Sequence, residues 1–368
     1  MAETMTIKCV NCGREYPEQG TPYKCLNCGG LFDISPIEYY PDRVDRNSAG
    51  LWKYKHTFQG LSRDDAGVSL GEGDTPLIWA TIRDRQVAFK CEHLNPSGSF
   101  KDRGTALIAT FLKGRGVQSV VEDSSGNAGA SLAAYSARAG LDVKIFIPAS
   151  ASGPKRRQIE FYGAEIHPID GSRSDVTGAL DKYIESEEIA YASHAYLPVN
   201  LPGYATAAYE IFEQIGCAPG AVITPTGQGG LLLGLYRGFD ALKRAGLIKK
   251  SPYMVGVQAK ACSPLWVLAK AGMSAYGFVT EGPTLAEGVR VKRPLRAGML
   301  LQMMLSGGGE FVAVEEIDIL RGRDELASRG LYVEPTSAIV WSALEQIMDR
   351  LPDPVVVMLT GSGYKFSQ

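Results

Sequence analysis

The run Asn95-Pro96-Ser97-Gly98-Ser99-Phe100-Lys101-Asp102-Arg103-Gly104 places one lysine at a loop-to-helix junction, among small hydroxyl-bearing residues and glycines that allow close approach. A lysine amine becomes a useful nucleophile toward an aldehyde when burial or a cationic neighbour lowers its pKa. Arg103 supplies such a neighbour. The pattern therefore suits a Schiff-base lysine. Its alternative is a plain helix start, with a turn at Pro96 and Gly98, Ser99 as cap, and Lys101 and Asp102 as solvated first-turn charges.

Three further segments carry ligand-binding chemistry. Ser124-Ser125-Gly126-Asn127 follows an apolar run at 117–121 and opens a helical stretch, so hydroxyls, an amide and free backbone N–H groups meet at a helix N-terminus. That arrangement suits a substrate carboxylate. Thr226-Gly227-Gln228-Gly229-Gly230 follows the apolar strand at 222–225, and its glycines let N–H groups converge on a phosphate. The buried-strand pattern at 354–359 delivers Thr360-Gly361-Ser362-Gly363 at its C-terminal end, the usual ligand side of a parallel sheet.

Taken together and in this order, the four segments resemble the fold-type II, or tryptophan synthase β-like, pyridoxal phosphate enzymes, and more closely the threonine synthase family. The resemblance covers almost everything after about residue 70. It implies that Lys101 carries the cofactor and that Asn127 bonds the cofactor's ring hydroxyl. It also implies that Gly227, Gln228, Gly229 and Gly230 hold the phosphate and that Thr360 meets the pyridine nitrogen. A neutral threonine there fits elimination and replacement better than transamination. Ser124, Ser125, Gly126 and Asn127 are the expected substrate-binding residues. Glu287 resembles a family residue near the cofactor face, with a solvated helix-start glutamate as the alternative.

At the N-terminus, Cys9-Val10-Asn11-Cys12-Gly13 and Cys25-Leu26-Asn27-Cys28-Gly29 form paired knuckles whose spacing lets four thiolates surround one tetrahedral zinc. Two disulfides or a ribbon that no longer binds metal are the alternatives. A short segment with few large apolar residues needs a staple, which favours structural zinc. Cys91, Cys217 and Cys262 read as small buried residues. His56, His93, His167 and His194 share no ligand spacing and read as structural or surface residues.

The elements that must position these groups alternate: helix 106–113, strand 117–121, helix 130–139, strand 143–147, helix 155–162 and strand 166–168. The fold expected is α/β with two domains and parallel-rich sheets, preceded by a zinc-ribbon-like segment. Residues 1–38 form that segment, 39–103 and 206–368 the large cofactor-binding domain, and 104–205 the small α/β domain, with the active site between the two domains. Strands are also expected at 221–224, 253–258 and 310–314, with helices at 205–215 and from 231. Gly307-Gly308-Gly309 reads as a turn before the strand at 310–314.

At 368 residues, with 38 basic and 40 acidic side chains, the chain has no charge excess pointing to nucleic acid or an anionic membrane. The Met1–Lys8 stretch lacks signal-peptide and transit-peptide character, so a cytoplasmic protein is expected. A homodimer is expected from the family and from the frequency of twofold assemblies.

The implied activity is conversion of O-phosphohomoserine and water to threonine and phosphate. Several positions depart from the threonine synthase pattern: Ala128 replaces a threonine, Gln228 stands in a loop usually richer in asparagine, Ser362 replaces a histidine, and Pro202-Gly203 replaces a glutamate-glycine pair. The alternative is therefore β-replacement or β-elimination on a serine-like substrate, of the cysteate or cysteine synthase or dehydratase type. Lys155, Arg156 and Arg157 are candidates for a substrate anion, against a solvated helix face. A non-catalytic binding protein on a decayed scaffold is disfavoured by the intact lysine, loop and threonine.

Overall fold

The computed structural model describes residues 5–58, 60–61 and 67–366; Met1–Thr4, part of the stretch read above for signal character, lie outside them. Along the chain, β1 (Thr6–Cys9) and β2 (Phe32–Ser35) come first, then β3 (Leu77–Ile82) and β4 (Arg85–Lys90). An alternating run follows: α1 (Lys101–Gly114), β5 (Ser119–Glu122), α2 (Asn127–Ala139), β6 (Asp142–Pro148), α3 (Pro154–Phe161), β7 (Glu165–Ile169), α4 (Arg173–Glu187) and β8 (Ala190–Tyr191). Next come α5 (Leu201–Ile215), β9 (Ala221–Pro225), α6 (Gly230–Arg244), β10 (Tyr253–Ala259), α7 (Pro264–Ala271) and α8 (Ala297–Gly307). The chain closes with β11 (Gly309–Val314), α9 (Glu316–Ala327), α10 (Pro335–Ile347) and β12 (Val355–Met358). Among the described residues, no helix is long and apolar enough to cross a membrane.

These elements form two compact units. One comprises Asn95–Gly203 and the described part of Met1–Gly73; the other comprises Asp74–Leu94 and Tyr204–Phe366. The first holds a four-stranded sheet of order β7-β6-β5-β8, all parallel. Helix α4, absent from the expected elements, begins with a capping box between Ser172 and Asp175. It buries Val176 and Leu180 at helical spacing against Val121, Phe146 and Tyr191.

In the same unit, β1 and β2 pair antiparallel, with Cys9 opposite Phe32. This small sheet is tied to α1, because Arg115 donates to the carbonyls of Pro17 and Gly20 at 2.8 and 2.7 Å and Tyr16 packs on Phe111.

The second unit holds a six-stranded sheet of order β11-β10-β9-β12-β4-β3. All its pairings are parallel except β3 with β4. Strands β9 and β12 are buried along their whole length, which is why they read as near-continuous apolar runs. The β3–β4 hairpin turns on Arg83 and Asp84, both left-handed at φ 46° and 65°, the backbone a two-residue turn of matching twist requires. Neither residue is glycine, so the turn carries no obvious signature. Helix α8 ends at Gly307 and Gly308 turns the chain into β11 at φ +75°, as the glycine run suggested.

Candidate active site

Lys101 is the first residue of α1 and is partly buried, with its ammonium 4.6 Å from the centre of the Phe100 ring. Burial draws its pKa down to about 8, while the carboxylate of Glu122 pulls the other way. Arg103 is not the cause expected of it. Its side chain is fully buried and lies in the field of Tyr135, whose hydroxyl is pushed up by burial and by Asp102 and Glu72 and held down by Arg103.

The solvated-charge alternative fails for Asp102, which is fully buried. Asp102 accepts from the Ser97 N–H at 2.6 Å, the Ser97 hydroxyl at 2.5 Å and the Ser131 hydroxyl at 2.6 Å. Nor does Ser99 cap the helix: Phe100 occupies the cap position, and the Ser99 hydroxyl is buried with no partner among the described residues. Glu72 completes the buried group, accepting from Trp52 at 2.9 Å and Tyr135 at 2.7 Å. The Asp102 contacts tie the start of α1, and with it the lysine, to Ser97 in the preceding loop and Ser131 in α2 by charge-assisted bonds.

In the same unit, residues 124–127 leave β5 and enter α2 as a partly exposed turn. The Ser124 hydroxyl accepts from the Gly126 N–H at 3.3 Å, and Gly126 stands at the cap of α2, which has no side-chain cap bond. Gly129 is required here: a Cβ on it would sit 1.9 Å from the Ser124 carbonyl oxygen. Ala128 is buried and brings no hydroxyl. The open helix start suits a carboxylate.

The two residues before this turn escaped sequence reasoning. Glu122 and Asp123 are both buried. Asp123 accepts from Tyr191 at 2.7 Å and Thr177 at 3.2 Å and pairs with Arg173 at 3.0 Å. Glu122 is joined at 3.0 Å to His194, a histidine expected to be ordinary. Burial and Asp123 push the Glu122 carboxyl well above its usual range, against Arg173 and Lys101.

In the second unit, Gly229 is left-handed at φ +81° and caps α6 without any side-chain bond, so the first N–H groups of a fifteen-residue helix point out of a glycine loop. Space around the loop is tight. A Cβ on Gly227 would lie 2.9 Å from the Gly288 carbonyl, and one on Gly229 would lie 2.2 Å from Leu300. Gln228 spends its side-chain oxygen on the Leu295 N–H at 3.0 Å.

Glu287 is exposed and begins the short turn Glu287–Val289, whose Gly288 lies against the loop and donates to Thr336 at 3.0 Å. Thr360 is buried just beyond β12, held by its N–H to the Ser337 hydroxyl at 2.8 Å. Ser362 accepts from the Tyr364 N–H at 3.3 Å, so its hydroxyl caps the closing turn.

Elsewhere, the sulfurs of Cys9, Cys12, Cys25 and Cys28 lie within 4.8 Å of one another. The Cys9–Cys28 and Cys12–Cys25 separations of 3.5 and 3.7 Å match the roughly 3.8 Å edge of a tetrahedron with zinc–sulfur bonds of about 2.3 Å. Gly13 and Gly29 are left-handed and close each knuckle onto the carbonyl of its first cysteine. Cys217 is exposed, contrary to expectation, because Gly216 ends α5 and turns the chain outward. Arg156 is occupied by Glu160 at 3.1 Å and the Ala151 carbonyl at 3.0 Å, and Arg157 is exposed.

Each unit holds residues that fit one part of a phosphorylated aldehyde: in the first, an amine whose pKa burial draws down to about 8; in the second, a glycine loop whose amides open at a helix start. A profile of the family described as "Pyridoxal-phosphate dependent enzyme" matches residues 68–361. The threonine synthase of Methanosarcina acetivorans is 32% identical over 96% of this chain and 91% of its own length. That of Mycobacterium tuberculosis strain H37Rv is 34% identical over 81% of this chain and 83% of its own.

Among solved structures, a T.th. threonine deaminase superposes with a TM-score of 0.68, at 25% identity over 80% of this chain and 94% of its own. Maize serine racemase gives 0.67 at 22% identity over 78% and 88%, a likeness of fold. With the family matched over most of the chain and the lysine and glycine segments built as described, this protein belongs to the pyridoxal phosphate-dependent enzymes, as a lyase similar to the threonine synthases.

Proposed function

We propose that the chain converts O-phosphohomoserine and water to threonine and phosphate. The observation that carries this reading is the 32% identity to a threonine synthase across 96% of the chain. Lys101 would bond the aldehyde carbon of the cofactor, Asn127 its ring hydroxyl, residues 227–230 its phosphate and Thr360 its ring nitrogen. When bound, pyridoxal phosphate withdraws electrons from the substrate's Cα and makes its proton removable.

The chain's own work is to hold the substrate and handle protons. The turn at 124–127 orients the carboxylate on the open start of α2. Lys101, drawn to about 8, takes the Cα proton on Nζ and returns it without a large cost at neutral pH. Thr360, a neutral hydroxyl, leaves the ring nitrogen without a carboxylate partner and so favours elimination over amino transfer.

A second reading, replacement or elimination on a serine-like substrate, is favoured by one observation. Ala128 is buried and brings no hydroxyl to the start of α2, where the threonine synthase pattern has a threonine. A panel of phosphorylated and unphosphorylated amino acids, scored for phosphate, ammonia and amino-acid products, separates the two. Phosphate and threonine from O-phosphohomoserine support the first; ammonia or a replaced amino acid from serine-like substrates alone supports the second. We further propose one structural zinc on Cys9, Cys12, Cys25 and Cys28; elemental analysis of protein prepared without chelator should find one per chain, and its absence would reject the site.

A further inference from the structure

Two adjacent buried hydroxyls in the first turn of α10 bond two different loops. Thr336 accepts from the Gly288 N–H at 3.0 Å, and Ser337 accepts from the Thr360 N–H at 2.8 Å. Hydroxyls at a helix start ordinarily serve the backbone of their own helix. The start of α10 makes little such demand: Pro335 has no N–H, and the Glu334 carbonyl accepts from the N–H groups of Ser337 and Ala338 at 2.9 and 3.0 Å.

On the Thr336 side, the contact continues to the glycine loop. A Cβ on Gly288 would lie 2.9 Å from Thr336 Cγ2, and the Gly288 carbonyl oxygen lies 2.9 Å from where a Cβ on Gly227 would sit. Thr336, Gly288 and Gly227 are therefore close-packed in sequence, and a shift of the middle residue reaches the loop. On the Ser337 side, the chain around Thr360 is tied down through its backbone. Glu334 donates its N–H to the Gly361 carbonyl at 3.0 Å, Gly363 to the Tyr332 carbonyl at 3.1 Å and His93 to the Leu359 carbonyl at 2.8 Å. Helix α10 is a fixed reference for both, since every residue from Pro335 to Leu344 is buried.

We propose, on the reading that residues 227–230 hold the cofactor phosphate and Thr360 meets its ring nitrogen, that Thr336 and Ser337 are positioning residues which set both from one helix turn. Thr336 acts through Gly288 on the glycine loop, and Ser337 acts through the backbone of Thr360. The two hydroxyls therefore differ in what they control. Loss of the first is felt at the phosphate, and loss of the second at the ring.

Pyridoxal phosphate and pyridoxal, which lacks the phosphate, are titrated into the full chain freed of cofactor, and each affinity is read from visible absorbance. Thr336→Val keeps the shape and removes the acceptor. It should lower the affinity for pyridoxal phosphate by roughly three- to tenfold, the worth of one hydrogen bond, and leave that for pyridoxal within about twofold. Thr336→Ser keeps the hydroxyl and should keep the ratio of the two affinities. Ser337→Ala should lower both affinities by a similar factor, of roughly threefold or more. In a Thr360→Ala background it should add little, because residues that act through one group are not additive.

A merely structural role would lower both affinities together in both variants. An unmoved ratio in Thr336→Val overturns the proposal, and so does an equal loss from Ser337→Ala with and without the Thr360 hydroxyl. If Thr336→Val does not fold, Thr336→Ala must move the ratio in the same way. If Ser337→Ala does not fold, Ser337→Cys, whose sulfur is a weak acceptor, takes its place. Gly229→Ala in the same titration separates the two levels. A ratio unmoved there means that the loop does not hold the phosphate, and both readings fall; a ratio lowered there and unmoved in Thr336→Val overturns the positioning role alone.

Discussion

Around Lys101 the chain buries charge: Glu72, Asp102, Arg103 and Glu122 are each no more than 1% exposed. Around Gly227 and Gly229 it removes side chains instead, and the walls are the Gly288 carbonyl and Leu300. One region controls its chemistry through electrostatics in a low-dielectric setting, the other through backbone shape. The first should therefore respond to changes of charge that preserve volume, and the second to changes of volume that carry no charge.

The largest effect is expected from a methyl group in the loop. Gly229→Ala puts a Cβ on a left-handed residue, which costs about 1–2 kcal/mol. It also forces Leu300 aside, which costs about 1–3 kcal/mol more. Cofactor affinity should fall tenfold or more, read by titration of the cofactor-free protein, with no change in the pH dependence of capture at Lys101. Affinity within twofold of the parent would show that the loop is not shaped by sterics. Asp102→Asn is the mirror experiment, a change of charge at nearly constant volume. It weakens bonds worth about 1.5–3 kcal/mol when charged and should lower the denaturation midpoint correspondingly. An unaltered midpoint would mean that the buried carboxylate does not anchor α1.

Thr360→Ala should matter least to stability. The residue is held through its backbone by Ser337, so the folded protein should persist while kcat falls by roughly tenfold, the worth of one hydrogen bond. A variant that unfolds instead would assign the hydroxyl a structural role.

The two regions also differ in how far the sequence discloses them. The lysine motif and the glycine loop are local patterns, since spacing within a few residues makes them work, and both sit where their residue types place them. Strands β9 and β12 were legible because burial on both faces leaves an unbroken apolar run. The Glu122–His194 pair was not, because its members lie 72 residues apart and meet only when β8 joins β5. The buried fate of Arg103 was hidden for the same reason: Tyr135, on whose hydroxyl its charge acts, comes from a distant segment. The β3–β4 hairpin hid behind a non-glycine turn at Arg83 and Asp84. Helix α4 could have been found from the Ser172-x-x-Asp175 capping signature followed by Val176 and Leu180.

The central claim is that Lys101 is the residue that bears the cofactor. Borohydride reduction of the purified protein, followed by peptide mapping, tests it most directly. The account predicts a reduced pyridoxyl group on the peptide containing Lys101 and on no other lysine peptide; the group on any other lysine, with Lys101 unmodified, would contradict it.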